Sequence, residues 1–204
     1  MNLETINKAE FSDIVGMCDP ASGKLTKEGC QSAIVIVAQI PDGRAFALAE
    51  WADKCATDVI TRNIFLMNRM WRCHRFGIDS TGQQNLYFQD VVKEANIRRE
   101  RIALVPREMP STENKEFRLT STIQRWMHNG LLYVNESCPM LYRQLERYPT
   151  GFMVDLVDAL SECLRMLRDP LANRGKLEYD PIYNEETRWQ NQFRGDPRYG
   201  GFSR

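Results

Sequence analysis

The stretch SAIVIVAQI, Ser32 to Ile40, constrains the fold more than any other part of the chain. It is apolar almost without interruption and rich in β-branched residues, so as a strand it has no face suited to water. Such a strand belongs inside a sheet covered on both sides. What flanks it agrees. PDGR, Pro41 to Arg44, is a turn with Asp-Gly at its centre, and AFALAEW follows as the return strand of a hairpin. DIVGMCD, Asp13 to Asp19, reads as an earlier short strand that ends in an acid.

The period then changes. TDVITRNIFLMNRMW, Thr57 to Trp71, sets Val59, Ile60, Ile64, Met67 and Trp71 at helical spacing, with Thr57 or Asp58 as the N-cap. HRFGID, His74 to Asp79, is a short strand ending again in an acid. STGQQNLYFQDVVKEAN predicts a helix carrying Leu86, Phe88, Val91 and Val92, and RIALVP, Arg101 to Pro106, a further strand. TENKEFRLTSTIQRWMHNG predicts a helix stopped at Gly130, LLYVN a short strand, and PMLYRQLERYP and FMVDLVDALSECLRML two closing helices. A strand meander followed by alternating helices and strands gives an α/β fold with a sheet of mixed direction. After Arg168 the composition turns to Pro, Gly, Arg, Asn and Asp without periodicity. One domain is therefore expected over residues 1–168, and a mostly irregular tail over 169–204.

Several function classes drop out. GMCDPASGKLTKEG, Gly16 to Gly29, contains a Gly-Lys pair but is no phosphate loop. Cys18 stands where the first glycine is required, and Leu25 where the Ser or Thr that holds magnesium is required. The six cysteines show no CxxC spacing and read as reduced thiols of a cytosolic protein. No apolar run is long enough to span a bilayer, so no membrane is expected. Lys plus Arg and Asp plus Glu both number 27, which leaves room for a local basic face opposite an acidic pocket. The basic residues cluster in RNIFLMNRMWRCHR and IRRERIALVPRE; each alone reads equally as a solvated face.

Three acidic positions stand out by placement. Asp19 and Asp79 end strands, and side chains at the carboxyl ends of neighbouring strands of an α/β sheet converge on the ligand-binding edge. Asp155 and Asp158, spaced i, i+3, share one face of an otherwise apolar helix. Each also admits a purely structural reading: a turn opener at Asp19-Pro20, a helix cap at Asp79, a solvated face at Asp155 and Asp158. Together they are hard oxygen donors without a Cys or His partner, which suits magnesium or manganese rather than zinc. Two such ions can activate water and stabilise the leaving oxygen of a phosphoryl displacement.

On these features the chain resembles the C-terminal nuclease domain of the large terminase subunit of tailed double-stranded DNA bacteriophages, a ribonuclease-H-like fold. The resemblance is carried by MCDPASG, RFGIDSTGQQNL, ENKEFRL, NGLLYV and LERYPTGFMVDLVDAL, in that order. It implies a metal-dependent endonuclease that cuts concatemeric DNA by a two-metal mechanism. On that resemblance Asp19 would ligate both Mg2+ or Mn2+ ions, and Asp79 and Asp155 one each. Asp158 would support that helix face or ligate through water. Lys115 and Arg118 would contact the scissile phosphate or nearby backbone, and Gln83, after Gly82, would let DNA or a metal-bound water approach Asp79. It further implies double-stranded DNA, the terminase ATPase domain, the small terminase subunit and the portal protein as partners. The setting would be the cytoplasm of an infected bacterium, transiently at the procapsid portal. Two features depart from the family. Val154 stands where the first of two adjacent acids is usual, and the ATPase motor has no counterpart, so an isolated nuclease domain is expected. A weakly catalytic DNA or portal docking module, and another ribonuclease-H-like nuclease such as a junction resolvase or a hybrid nuclease, are the competing readings.

Overall fold

The computed structural model describes residues 10–21, 31–82, 84–108, 115–148 and 154–170. Six strands form one sheet in the order β5-β4-β1-β2-β3-β6. Its centre is the meander expected from the hydrophobic runs. β1 (Asp13–Asp19) pairs antiparallel with β2 (Ser32–Gln39), which pairs antiparallel with β3 (Ala45–Asp53). All eight residues of β2 are buried, as its unbroken apolar run requires. The turn between β2 and β3 closes with the Gly43 N–H donating to the Ile40 carbonyl at 2.9 Å, and Gly43 takes a φ of 96°, a conformation that glycine adopts without strain.

Parallel strands widen the meander on both sides. β4 (Arg75–Asp79) lies parallel to β1, β5 (Leu104–Arg107) parallel to β4, and β6 (Leu132–Val134) parallel to β3. In chain order α1 (Thr57–Trp71) joins β3 to β4 and α2 (Gln84–Arg98) joins β4 to β5. α3 (Lys115–His128) stands between β5 and β6, and α4 (Pro139–Arg147) and α5 (Asp155–Met166) close the described unit. The described residues up to Asp169 belong to one compact unit. Beyond Pro170 the expected tail lies outside the described residues.

Strand alternation divides the core in two. Val15, Met17, Val35 and Val37 face α5, while Ile14, Cys18, Ile34 and Ile36 face α1 and α2. α5 is the most enclosed helix: of its twelve residues only Arg165 is exposed, because Ile123 and Trp126 of α3 and Leu141 of α4 cover the side away from the sheet. Each fully buried Leu of this helix, such as Leu156 or Leu160, contributes about 1.5–3 kcal/mol. Gly16 lets the other face pack closely. A Cβ there would meet the Phe76 ring at 2.6 Å and Ile36 Cδ1 at 2.9 Å. Gly16→Ala is expected to destabilise the fold by about 1–3 kcal/mol, readable as a shifted urea midpoint with an unchanged slope.

Local expectations at element ends were corrected in detail. Neither Thr57 nor Asp58 caps α1: the cap is Ala56, with no side-chain hydrogen bond. α2 begins at Gln84 rather than Ser80, and Leu86 is 72% exposed instead of packed. In that helix Phe88, Val91 and Ala95 make the inward face.

Candidate active site

The carboxyl ends of β1, β4 and β5 lie side by side because these three strands are parallel. Cys18 pairs with Ile78, so one residue further the register sets Asp19 beside Asp79. Asp79 in turn pairs with Arg107. The alternation that turns Cys18 and Ile78 toward α1 and α2 turns Asp19 and Asp79 to the α5 face. Gly77 confirms that side: a Cβ on it would meet Met17, Arg107 and Met166, the last from α5.

Two hydrogen bonds orient α5 on that face. The Gln31 N–H, just before β2, donates to Asp155 Oδ2 at 3.2 Å, and Gln39 Nε2, at the end of β2, donates to the Arg168 carbonyl at 2.9 Å. The first turn of α5 therefore stands at the strand end that carries Asp19, since Ala33 pairs with Asp19. Gln144 Oε1 accepts the Leu156 N–H at 3.0 Å and satisfies one free donor of the helix start. The positive end of the helix dipole thus meets the acidic sheet edge, where it favours carboxylates.

The expected residues are placed as follows. Asp79 is 8%, Asp155 7% and Asp158 3% exposed, and Asp19 is half-buried. Asp79 Oδ1 accepts the Thr81 N–H at 2.8 Å, ahead of α2, which begins only at Gln84, so this acid closes a local turn rather than capping the helix as expected. Gln84 Nε2 donates to the Pro20 carbonyl at 2.6 Å and ties the residue after Asp19 to the start of α2. Arg118 is 5% exposed and turned toward Glu162, with Nε 3.9 Å from Oε1, rather than toward solvent. Lys115 opens α3; its side chain and Gln83 lie outside the described residues.

Three residues of the site were missed from the sequence. Glu162, 2% exposed, extends the Asp155–Asp158 stripe by one helical turn and accepts Arg107 Nη2 at 2.9 Å. Arg165 Nε stands 3.7 Å from the same carboxylate. A buried acid is thus surrounded by three guanidinium groups, and one of them, Arg107, neighbours Asp79. The spacing 155, 158, 162 was visible as a helical stripe of acids on an apolar helix.

The donor set suits a hard dication by chemistry. His74 is bonded to Asp13 at the other end of β1, and Cys18 points to the opposite face of the sheet. Burial, and after it the charges of Asp19 and Asp79, push the Cys18 thiol well above its ordinary range, so it is no thiolate ligand. The remaining donors are carboxylate oxygens. Among the described residues, however, no three His, Cys, Asp or Glu side chains are drawn together as closely as the ligands of one bound ion. The backbone brings the acids to one edge; their side chains are not gathered around a point.

No protein-family model matches the chain, and no curated protein matches it in sequence. Solved structures do match in fold. The nuclease domain of the P22 large terminase is similar over 80% of this chain and 89% of its own, with a TM-score of 0.52 and 11% identity. The large terminase nuclease from the thermophilic phage G20c covers 76% of this chain and 83% of its own, with a TM-score of 0.51 and 13% identity. A mutant nuclease domain of the large terminase subunit gp2 of bacterial virus Sf6, solved with manganese and beta-thujaplicinol, covers 78% and 90%, with a TM-score of 0.52 and 8% identity. The chain has the ribonuclease-H-like fold of the large terminase nuclease domains.

Proposed function

We propose that this chain is a metal-dependent endonuclease acting on double-stranded DNA, of the kind that cuts concatemers during phage genome packaging. The observation that carries this reading is the register of β1 and β4, which sets Asp19 and Asp79 side by side at the edge where α5 begins with Asp155 and Asp158. Asp19, Asp79 and Asp155, with Asp158 beside them, would hold one or two Mg2+ or Mn2+ ions. Such ions supply an activated water and stabilise the charge of the leaving oxygen. The fold's relatives are terminase nucleases, and the one from Sf6 was solved with manganese, which supports the metal and the packaging role.

The chain's own groups have definable work. Asp79, Asp155 and Asp158 are buried and offer only acceptor atoms to a cation. Arg107 neighbours Asp79 in the strand register, and its guanidinium is held by Glu162. Lys115 and Gln83, flanking the same edge in sequence, would reach the DNA backbone. Residues 1–168 would form the nuclease domain. In a packaging motor it would act with an ATPase domain, a small terminase subunit and a portal protein, in the bacterial cytoplasm and at the procapsid. Among the described residues no helix is long and apolar enough to cross a membrane.

A second reading has one observation in its favour. The acids are not gathered around a point, and Val154 takes the place of an acid at the start of α5, as a DNA-docking module with weak or no cleavage would have it. Substrate choice tests the proposal. With manganese, the chain is expected to cut linear duplex DNA, and to cut an RNA:DNA hybrid or a four-way junction no faster. A clear preference for the junction or the hybrid would replace the packaging reading with another ribonuclease-H-like activity.

A further inference from the structure

The two arginine-rich segments of the sequence, RNIFLMNRMWRCHR and IRRERIALVPRE, meet in the fold, far from the carboxylate edge. α1 and α2 both end, and β4 begins, at the opposite end of the sheet. Asn68 Nδ2 donates to the Arg101 carbonyl at 3.4 Å, Arg69 pairs with Glu100 at 3.5 Å, and the Arg98 guanidinium lies 5.2 Å from the centre of the Phe65 ring. The His74 N–H donates to the Ile14 carbonyl at 2.7 Å and joins this cluster to the start of β1. The seven residues of β1 then span about 20 Å to the acidic edge.

This pole has more positive than negative charge. Glu100 pairs with Arg69, Glu94 with Arg98, and Asp13 with both Arg75 and His74. Arg72, Arg99 and Arg101 are exposed and form no ion pair among the described residues. Two of these three also carry backbone strain. Arg72 caps α1 with φ 53°, and Arg99 follows α2 with φ 54°, the left-handed conformation that glycine adopts without cost. The dipole at a helix C-terminus explains a cation in the last turn, a place already filled by Arg69 and Arg98. It does not explain arginine in place of glycine at the strained position, twice at one pole. Strain of this kind concentrates where a side chain is needed for function.

We infer that this pole is a second DNA-contacting surface, which grips the phosphate backbone of a duplex remote from the cutting edge. Each unpaired cation is a guanidinium, whose planar fork matches phosphate oxygens and is pre-organised to bond them in pairs. Three such groups, on the ends of two helices and the approach to a third element, fit a repeating polyanion read without regard to sequence. The identity of that polyanion as DNA rests on the nuclease reading; the excess of charge does not.

The test is duplex binding by the whole chain in EDTA, followed by fluorescence anisotropy over a range of salt. The variant combines Arg72→Gly and Arg99→Gly, which remove charge and relieve the backbone together, with Arg101→Gln. Its melting temperature is expected to equal or exceed that of the native chain. The slope of log affinity against log salt is expected to fall by about 1 per arginine, about 3 in all, equally for unrelated sequences. An unchanged slope in the folded variant overturns the inference. So does tighter binding of polyglutamate than of duplex by the native chain, which would assign the pole to an acidic protein. Plasmid cleavage is scored separately: a chain that binds duplex through these arginines but cuts nothing overturns the nuclease reading and leaves this one standing.

Discussion

Glu162→Ala is expected to lower the stability of the chain by about 3–5 kcal/mol, the cost of breaking a buried ion pair from one side. For a chain of this size the melting temperature would fall by roughly 6–20 °C. The acid is 2% exposed and lies within reach of Arg107, Arg118 and Arg165. Arg107 and Arg165 keep about a third of their side-chain surface and can turn to water, but Arg118 is nearly as buried as its partner. Most of the loss should therefore come from Arg118. The double variant Glu162→Met with Arg118→Met is expected to recover much of the stability, since apolar replacements of a buried pair are often neutral. Thermal denaturation of the three chains checks this. Equal stability of Glu162→Ala and the native chain would mean that the arginines are satisfied without the acid.

The second large effect is on cleavage. Asp79→Asn and Asp155→Asn should each reduce the metal-dependent rate a hundredfold or more, a loss of about 3 kcal/mol of transition-state stabilisation. The same variants should stay folded in EDTA, with a stability close to that of the native chain. The reason is that the substitution changes charge and hardly changes volume. Asparagine keeps the acceptor oxygen that each native acid uses, toward the Thr81 N–H and the Gln31 N–H respectively. Structure is thus retained while charge is removed. Calorimetry in EDTA beside a cleavage assay in manganese reads both halves. Loss of stability together with loss of activity would make these acids structural rather than ligands.

How far the sequence discloses this arrangement depends on the range of the interaction. The strands and their acidic ends were legible because a two-residue alternation or an unbroken apolar run marks a strand locally, and β1 and α1 have the expected ends. That Asp19 neighbours Asp79 depends on the register of strands separated by about sixty residues, which no local pattern carries. The strand expected over Arg101 to Pro106 is instead Leu104–Arg107, one residue past the proline. β5 is an edge strand, where a missing N–H costs no ladder bond. That one residue hid the arginine beside Asp79. Glu162 was legible as part of a stripe, but an acid on a helix ordinarily faces water, and only the enclosure of α5 between the sheet, α3 and α4 shows otherwise. Arg118 is the converse case: a basic residue expected at the DNA is turned inward to meet that acid.

In the proposed function, the edge formed by Asp19, Asp79 and the start of α5 cuts DNA. Incubation of supercoiled plasmid with the 204-residue chain in manganese, magnesium or EDTA, beside Asp19→Asn, tests it most directly. Nicking and then linearisation are expected, requiring the metal and disappearing with Asp19→Asn while the variant stays folded. Cleavage that survives Asp19→Asn, or none from a folded native chain with either metal, would contradict it.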